Sequence, residues 1–466
     1  MKKNIFCLKL VFIALYALHI NLPVWAQQTA QPAVKVAMSD DQSIILGRIL
    51  HTALKRSGYQ MVAKVTGMRT SVADVNYGDA AILPTQTDGW EKQYPNLIKV
   101  PVPIDYVEFT TYVRSDESHS FSTWGGMAGL RLCYRWQNQF VANNAPRANA
   151  SKLIAVSDLE EVWDALLNNE ADVAVLPRMA YFEFMLPKGI KKVSVVERLP
   201  CFSYVNKDFG YLAPLLEKAY KEMIDDGSLE AIQNGRHFQA DGKQIVLHIS
   251  SYNMQIDRER GFVEAIRGTL EENSDIEYKN FNLNSHERLN NASFNSINSD
   301  TIRADYIERI PDLIITTGNE ALKFVIDNYY LLFPKVPVVF CGANDMDSSR
   351  LYSLEEYITG ISETHSAKET MSQMLKLFPK TRRIFILNDH SLRGSIRMRQ
   401  VIQAAIGSSD LRVEFVFSGD KTLPEILDDI RAFGSDTLVL IGNYYLDSSG
   451  MFYPESDLQK LAAAAS

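Results

Sequence analysis

The stretch Pro311-Asp312-Leu313-Ile314-Ile315-Thr316-Thr317-Gly318-Asn319, with its echo Val336-Pro337-Val338-Val339-Phe340-Cys341-Gly342-Ala343-Asn344, decides the fold class. Each is a β-branched apolar run that stops at small polar residues. Neither run alternates, which is the pattern of parallel strands buried on both faces, and a parallel pair needs a crossover helix between its strands. The segment from Asn319 to Ile326 supplies that helix. Ligands in open α/β sheets collect beyond the carboxyl ends of the strands, where Thr317-Gly318-Asn319 and Cys341-Gly342-Ala343-Asn344 both fall. The expectation is a ligand-binding α/β lobe.

The surrounding sequence from Lys243 onward alternates in the same way. Strands are expected at Gln244 to Ile249, Ile276 to Leu283, Asp312 to Thr316 and Val336 to Cys341, with a helix near Arg258 to Leu270. The polar stretch from Asn282 to Arg303 reads as an exposed loop with a helix after it. Ile358-Thr359-Gly360-Ile361 then opens a second series that continues at Arg383 to Asn388, Arg412 to Phe417 and Thr437 to Ile441. Two α/β lobes in succession are the simplest account.

Turn-forming residues from Asn234 to Gly242 interrupt the periodic pattern and mark a domain boundary, with a linker over 236–242. The earlier tract opens with the strand Val34 to Met38 and a helix from about Gln42 to Ser57 that ends at Gly58. Asp40, Asp41 and Gln42 would cap that helix. Asn76-Tyr77-Gly78-Asp79-Ala80-Ala81-Ile82-Leu83-Pro84 is echoed by Asn169-Glu170-Ala171-Asp172-Val173-Ala174-Val175-Leu176-Pro177. Two similar lobes and a chance likeness of two helix-to-strand junctions both account for the echo. Tyr106 to Arg114 reads as a β segment crossing between lobes, and Tyr204 to Gly235 as strongly helical.

Among 466 residues, 46% hydrophobic and 22% charged is ordinary globular composition, sufficient for about two to four domains. Lys2 and Lys3, the apolar stretch Leu10 to Leu18 and the small residues Val24 and Ala26 read as a signal peptide over 1–26. An uncleaved anchor is the rival, and the run is shorter than the ~20 residues that span a bilayer. The remainder is expected in an exported, periplasmic setting. A net charge of -8 without a basic stripe argues against a nucleic-acid partner. After cleavage Cys133, Cys201 and Cys341 remain. Cys341 ends a buried strand, so Cys133 and Cys201 form the candidate disulfide in an oxidising compartment.

The first tract resembles the family 3 solute-binding proteins, of the two-lobed type 2 periplasmic binding fold. The likeness spans about Ala33 to Gly235 and rests on Tyr77-Gly78-Asp79-Ala80-Ala81-Ile82, Tyr94-Pro95-Asn96-Leu97-Ile98, Tyr112-Val113-Arg114 and Asp226-Gly227-Ser228-Leu229. It implies ligand contacts from Asp40, Gln42, Thr85, Tyr106, Arg135 and Arg178. Trp90-Glu91-Lys92-Gln93 lacks the arginine that clamps a carboxylate in many amino-acid binders of that family, which argues against an amino-acid ligand.

The second tract resembles the substrate-binding domains of ABC transporters, of the type 1 periplasmic binding fold, including those fused to sensor histidine kinases. Leu247-His248-Ile249-Ser250-Ser251-Tyr252-Asn253, Pro311 to Thr317, Phe333 to Gly342, Thr359-Gly360-Ile361 and Leu377-Phe378-Pro379 carry the likeness. It implies ligand contacts from Tyr252, Asn253, Thr317, Asn319, Asn344, Glu363, Asp389 and Asn443. Tyr444 and Tyr445 follow a strand end, where an aromatic ring can stack on an apolar or planar ligand, and core or lobe-closure packing suits them equally.

Catalytic signatures are few. His248 sits mid-strand, where a satisfied core histidine is the usual occupant. No Gly-x-Ser-x-Gly elbow, phosphate-binding glycine loop or His-Glu-x-x-His occurs. Glu320-Ala321-Leu322 matches the name of a phosphodiesterase motif and lies in the crossover helix of a binding fold. The sequence therefore reads as an α/β protein of tandem two-lobed domains, type 2 then type 1, that binds small molecules without a cofactor. The type 1 domain is expected to be C-terminally incomplete, the helix from Ser456 leading on to a transmembrane segment and a cytoplasmic histidine kinase. A freestanding receptor serving a permease is the alternative, and an enzyme on a binding-protein scaffold the more distant one.

Overall fold

The computed structural model of the protein describes residues 31–39, 42–136, 138–177, 186–235, 242–285, 293–344, 354–390 and 393–465. The expected signal peptide, most of the expected linker, Asp40 and Arg178 lie outside the described residues.

The first tract forms nine strands: β1 (Ala33–Ser39), β2 (Gln60–Thr66), β3 (Ile82–Thr87), β4 (Leu97–Lys99), β5 (Asp105–Arg114), β6 (Arg131–Arg135), β7 (Lys152–Val156), β8 (Val173–Pro177) and β9 (Ile190–Asn206). They share one mixed sheet, in the order β2-β1-β3-β9-β5-β8-β6-β7, with β4 also on β9. One half reads β2-β1-β3-β9-β4 and the other β7-β6-β8-β5-β9, the same pattern twice. In each, the central strand pairs in parallel with both neighbours. The third strand then meets an antiparallel return strand. The echoing segments lead into β3 and β8, which hold the same place in the two halves. Gly78 (φ 85°) and Asn169 (φ 58°) both take the left-handed conformation where the preceding helix ends.

Helix Ile44–Arg56 shows why this sequence folds here. Ser43 caps it by accepting from the Ile45 N–H, and Lys55 and Arg56 in the last turn complement the helix dipole. The cap is Ser43 and not Gln42, whose side chain turns back to accept from the Ser39 N–H at 3.0 Å, while Asp41, like Asp40, lies outside the described residues. Ile49, Leu50, Ala53 and Leu54 pack under the sheet with Leu212, Leu216, Ala219, Tyr220 and Met223 of helix Leu212–Asp225. Tyr204 to Asn206, expected as helix, are the end of β9.

The second tract forms two parallel sheets. β10 (Gln244–Ser250), β11 (Ile276–Asn282), β12 (Leu313–Thr317), β13 (Val338–Ala343) and β14 (Ile358–Ser362) run in the order β11-β10-β12-β13-β14. β15 (Arg383–Leu387), β16 (Glu414–Phe417) and β17 (Thr437–Ile441) run in the order β16-β15-β17. β14 pairs with β13 from Val338 opposite Ile358, so it closes the first sheet instead of opening the second series. The order second-first-third thus occurs four times along the chain, around β1, β6, β10 and β15.

The two tracts meet through helix Ile44–Arg56. Ile44 belongs to one apolar cluster with Ile302 and Tyr306, and Glu308 reaches His51 at 3.3 Å and Lys55 at 3.6 Å. A side chain at Gly47 would collide with Ile307, so the small residue permits the close approach. A cavity of about 440 Å³ lies at this junction, lined by His51, Gln60 and Met61 on one side and by Lys279 and residues 304–309 on the other.

The expected Cys133 to Cys201 disulfide is absent, and both thiols are free and buried. Cys133 pairs with Ala174, itself opposite Tyr112 of β5, whereas Cys201 pairs with Asp105 at the other end of β5. Seven residues of strand separate the two levels, roughly 20 Å at about 3.3 Å per residue. A disulfide needs Cα atoms within about 7 Å.

Candidate functional sites at the strand ends

Where strand order reverses about a central parallel strand, the carboxyl ends of the first and third strands leave a crevice. Two candidate residues of the first tract, Thr85 and Arg135, lie toward such ends. Thr85 lies on β3, Arg135 ends β6, and Tyr106 lies at the start of β5 on the crossover between the halves. The structure adds residues that sequence reading missed. The Arg198 guanidinium covers the Tyr106 ring at 4.1 Å and approaches Glu108 at 3.6 Å. Asp105 stands beside Cys201 on the paired strand, and burial pushes its carboxyl up, against the Tyr106 N–H and the Arg198 charge that favour the anion. Arg198 and Asp105 gave no sequence signal, because the strand that presents Arg198 carries mixed polar and apolar residues without a clear period. Gln42 is committed to the protein itself through Ser39, and its carbonyl accepts from Arg303.

The second tract brings more of its candidates together. Asn319 and Asn344, at the ends of β12 and β13, bond to each other: Asn319 Nδ2 donates to Asn344 Oδ1 at 2.9 Å, and the Asn344 N–H donates to Asn319 Oδ1 at 2.8 Å. Asn344 Nδ2 then meets His365 Nε2 at 2.8 Å. The Asn253 side chain accepts from the Gln255 N–H, and Glu363 pairs with Arg258. Asp389 is buried and accepts from Ser395 Oγ at 3.0 Å and from the Tyr445 N–H at 2.6 Å, so it holds the loop after β17 in place.

Asn443 Nδ2 donates to the Gly394 carbonyl at 3.3 Å. A Cβ at Gly394 would stand 3.6 Å from the Asn443 amide and 3.6 Å from the Tyr252 hydroxyl. Tyr252 of the first sheet therefore reaches the second, and the Ser456 N–H donates to Asp257 across the same gap.

Tyr444 is a correction. Its ring is 3% exposed and packs among Phe385, Leu387, Leu423 and Leu458. Tyr445 lies instead beside Phe452, stacked at 6.4 Å, and its electrostatic partners Arg258 and Asp389 come from both sheets. Glu320-Ala321-Leu322 begins the crossover helix, with Ala321 and Leu322 in the core, as the binding-fold reading expected.

Beneath this cleft Thr317 is fully buried between His248 and Glu259. His248 is a satisfied core histidine, with Tyr278 on its other nitrogen. Glu259 escaped sequence reading because an acidic residue in a helix's first turn is ordinary there. Among the described residues no group of three or more His, Cys, Asp or Glu is placed to hold a metal ion. Among them, too, no helix is long and apolar enough to cross a membrane.

The strand orders define an α/β protein of one mixed and two parallel sheets, with the second-first-third order repeated around β1, β6, β10 and β15. No known family model and no curated protein matches the sequence. Solved structures similar to it include the probable amino-acid ABC transporter extracellular-binding protein ytmK from Bacillus subtilis, at 15% identity and TM-score 0.37, covering 43% of this chain and 95% of that one. The Bordetella pertussis BvgS periplasmic VFT2 domain is similar at 14% identity and TM-score 0.36, covering 43% and 92%. A histidine kinase sensor domain with similarity to periplasmic binding proteins aligns at 14% identity and TM-score 0.36, covering 44% and 95%.

Proposed function

We propose that the chain is an exported double binding module, a type 2 domain over residues 27–235 followed by a type 1 domain over 243–466, each closing on a small molecule. The fourfold recurrence of the second-first-third strand order carries this reading, since each occurrence creates one wall of a ligand crevice. Differential affinity supplies the mechanism: a ligand bridging two lobes favours the closed state by as much as it binds that state more tightly. Tyr252, Tyr445, Asn443 and the Asn319–Asn344 pair form the polar and aromatic wall of the second cleft.

Two unlike crevices joined through a buried contact at Arg303 suit a sensor's input region, in which one ligand state is passed to the next domain. A thermal-shift screen of amino acids, organic acids, purines and sugars tests the binding reading. A stabilising compound whose effect is lost in Tyr445→Ala supports it, and a screen without hits in a folded protein opposes it. The coding sequence after Ser466 tests the sensor reading. Continuation into a membrane helix and a kinase core supports it, whereas a stop codon beside permease genes favours a transporter receptor.

A further inference from the structure

Five polar groups from separate elements form one buried chain under the second cleft. The Tyr278 hydroxyl on β11 meets His248 Nδ1 at 2.7 Å, and His248 Nε2 meets the Thr317 hydroxyl at 2.9 Å. That hydroxyl bonds Glu259 Oε1, and Glu259 Oε2 accepts from the Tyr252 N–H at 3.3 Å. His248 and Thr317 are fully buried, and Glu259 is 3% exposed. Among the described residues no lysine or arginine bonds the Glu259 carboxylate: Arg258 on its own helix is paired with Glu363.

Each hydroxyl and the neutral imidazole have one proton to place, so the chain has two self-consistent directions. With Glu259 ionised, Thr317 donates to it, His248 donates from Nε2 to Thr317, and the bare Nδ1 accepts from Tyr278. With Glu259 protonated, its O–H donates to Thr317, Thr317 donates to the bare Nε2, and Nδ1–H donates to the Tyr278 oxygen.

We propose that this chain is a proton-linked switch, in which one proton gained from solvent reverses every link between Tyr278 and Glu259 and exchanges the tautomer of His248. The step balances. A proton enters on the Tyr278 oxygen, each proton along the chain moves one link, and Glu259 becomes a neutral acid while the imidazole stays uncharged throughout. Burial pushes the Glu259 carboxyl up to about 7, outweighing Thr317, the Tyr252 N–H and the Arg258 charge. Burial, with the charge of Arg267, holds His248 down to about 4.

The other titratable groups facing the chain, among the described residues, are Cys341 at the end of β13, Glu320 and Tyr445, which face Tyr252, and Glu271, which with Arg267 faces Tyr278. The anionic form gives Tyr252 a charge-assisted bond and the neutral form a weaker one. The switch therefore acts on the residue that reaches across the lobes, and goes beyond ligand binding as such.

Nitrogen-15 NMR of the full chain labelled at histidine tests it without any ligand, so its failure and that of the binding reading are distinguishable. His248 is assigned by the signals that His248→Gln removes. Between about pH 5.5 and about pH 8.5, the expected result is a change from the Nδ1–H to the Nε2–H tautomer, with a midpoint near 7 and no imidazolium signal. In Glu259→Gln the tautomer should be constant over that range. The wild-type titration stands by itself if that variant does not fold. A single tautomer at every pH, or an imidazole that itself becomes charged in this range, overturns the proposal.

Discussion

Arg303 Nη1 donates to the carbonyl of Gln42 at 2.5 Å, across 261 residues of chain, in a contact where Arg303 is 3% exposed. Gln42 stands directly after the β1 end loop, and Arg303 stands on the helix beside β12's lobe. The first crevice and the second unit thus share a buried polar tie. Arg303→Met keeps much of the side-chain volume and strands the carbonyl, which costs about 1–3 kcal/mol. Calorimetry should show a lower melting temperature and a split into two transitions. A single transition at the wild-type temperature would count against coupling through this pair.

Adjacent tyrosines after β17 should behave oppositely. Tyr444→Ala empties a core site and should cost about 3 kcal/mol in chemical denaturation. Tyr445→Ala should cost about 1 kcal/mol or less and remove the thermal shift produced by any ligand of the second cleft. Equal destabilisation by both changes would contradict these placements.

Gly318 links β12 to its helix with φ 82° and ψ 170°, a region that side chains avoid, and a Cβ there would stand 2.6 Å from Ser251 Oγ. Gly318→Ala should destabilise by at least about 2 kcal/mol. Urea denaturation measures it, and a variant within experimental error of wild type would refute the strained-turn account.

Because Cys133 and Cys201 are free and far apart, reductant should leave the melting temperature unchanged. A bond between them would contribute about 2–4 kcal/mol and be lost on reduction. Alkylation of the denatured, unreduced protein should modify both cysteines; a peptide pair joined through them is the contrary result.

By itself the sequence determined the parallel β12–helix–β13 unit, since unbroken β-branched runs ending in Gly and Asn have few other stable uses. The other strands of the second tract and β5 were legible from short runs rich in β-branched and aromatic residues. β9 was not: the first half of this long return strand is mostly half-buried and carries Lys191, Lys192, Glu197 and Arg198 among apolar residues, so its period is blurred. The place of β14 depended on pairing with β13, which local pattern does not encode.

At the candidate sites, sequence indicated which loops gather at strand ends, and tertiary structure decided what the side chains do there. Tyr444 and Tyr445 are indistinguishable by composition, and only the packing against Phe385 and Leu458 turns one inward. Cys133 and Cys201 looked like partners until strand register set them at opposite ends of β5. Glu259 and Thr317 lie 58 residues apart, and their bond exists because β10, β12 and the helix between β10 and β11 converge on one buried point. Local pattern reports what a segment buries; which partner it is buried against is settled only when the chain closes on itself.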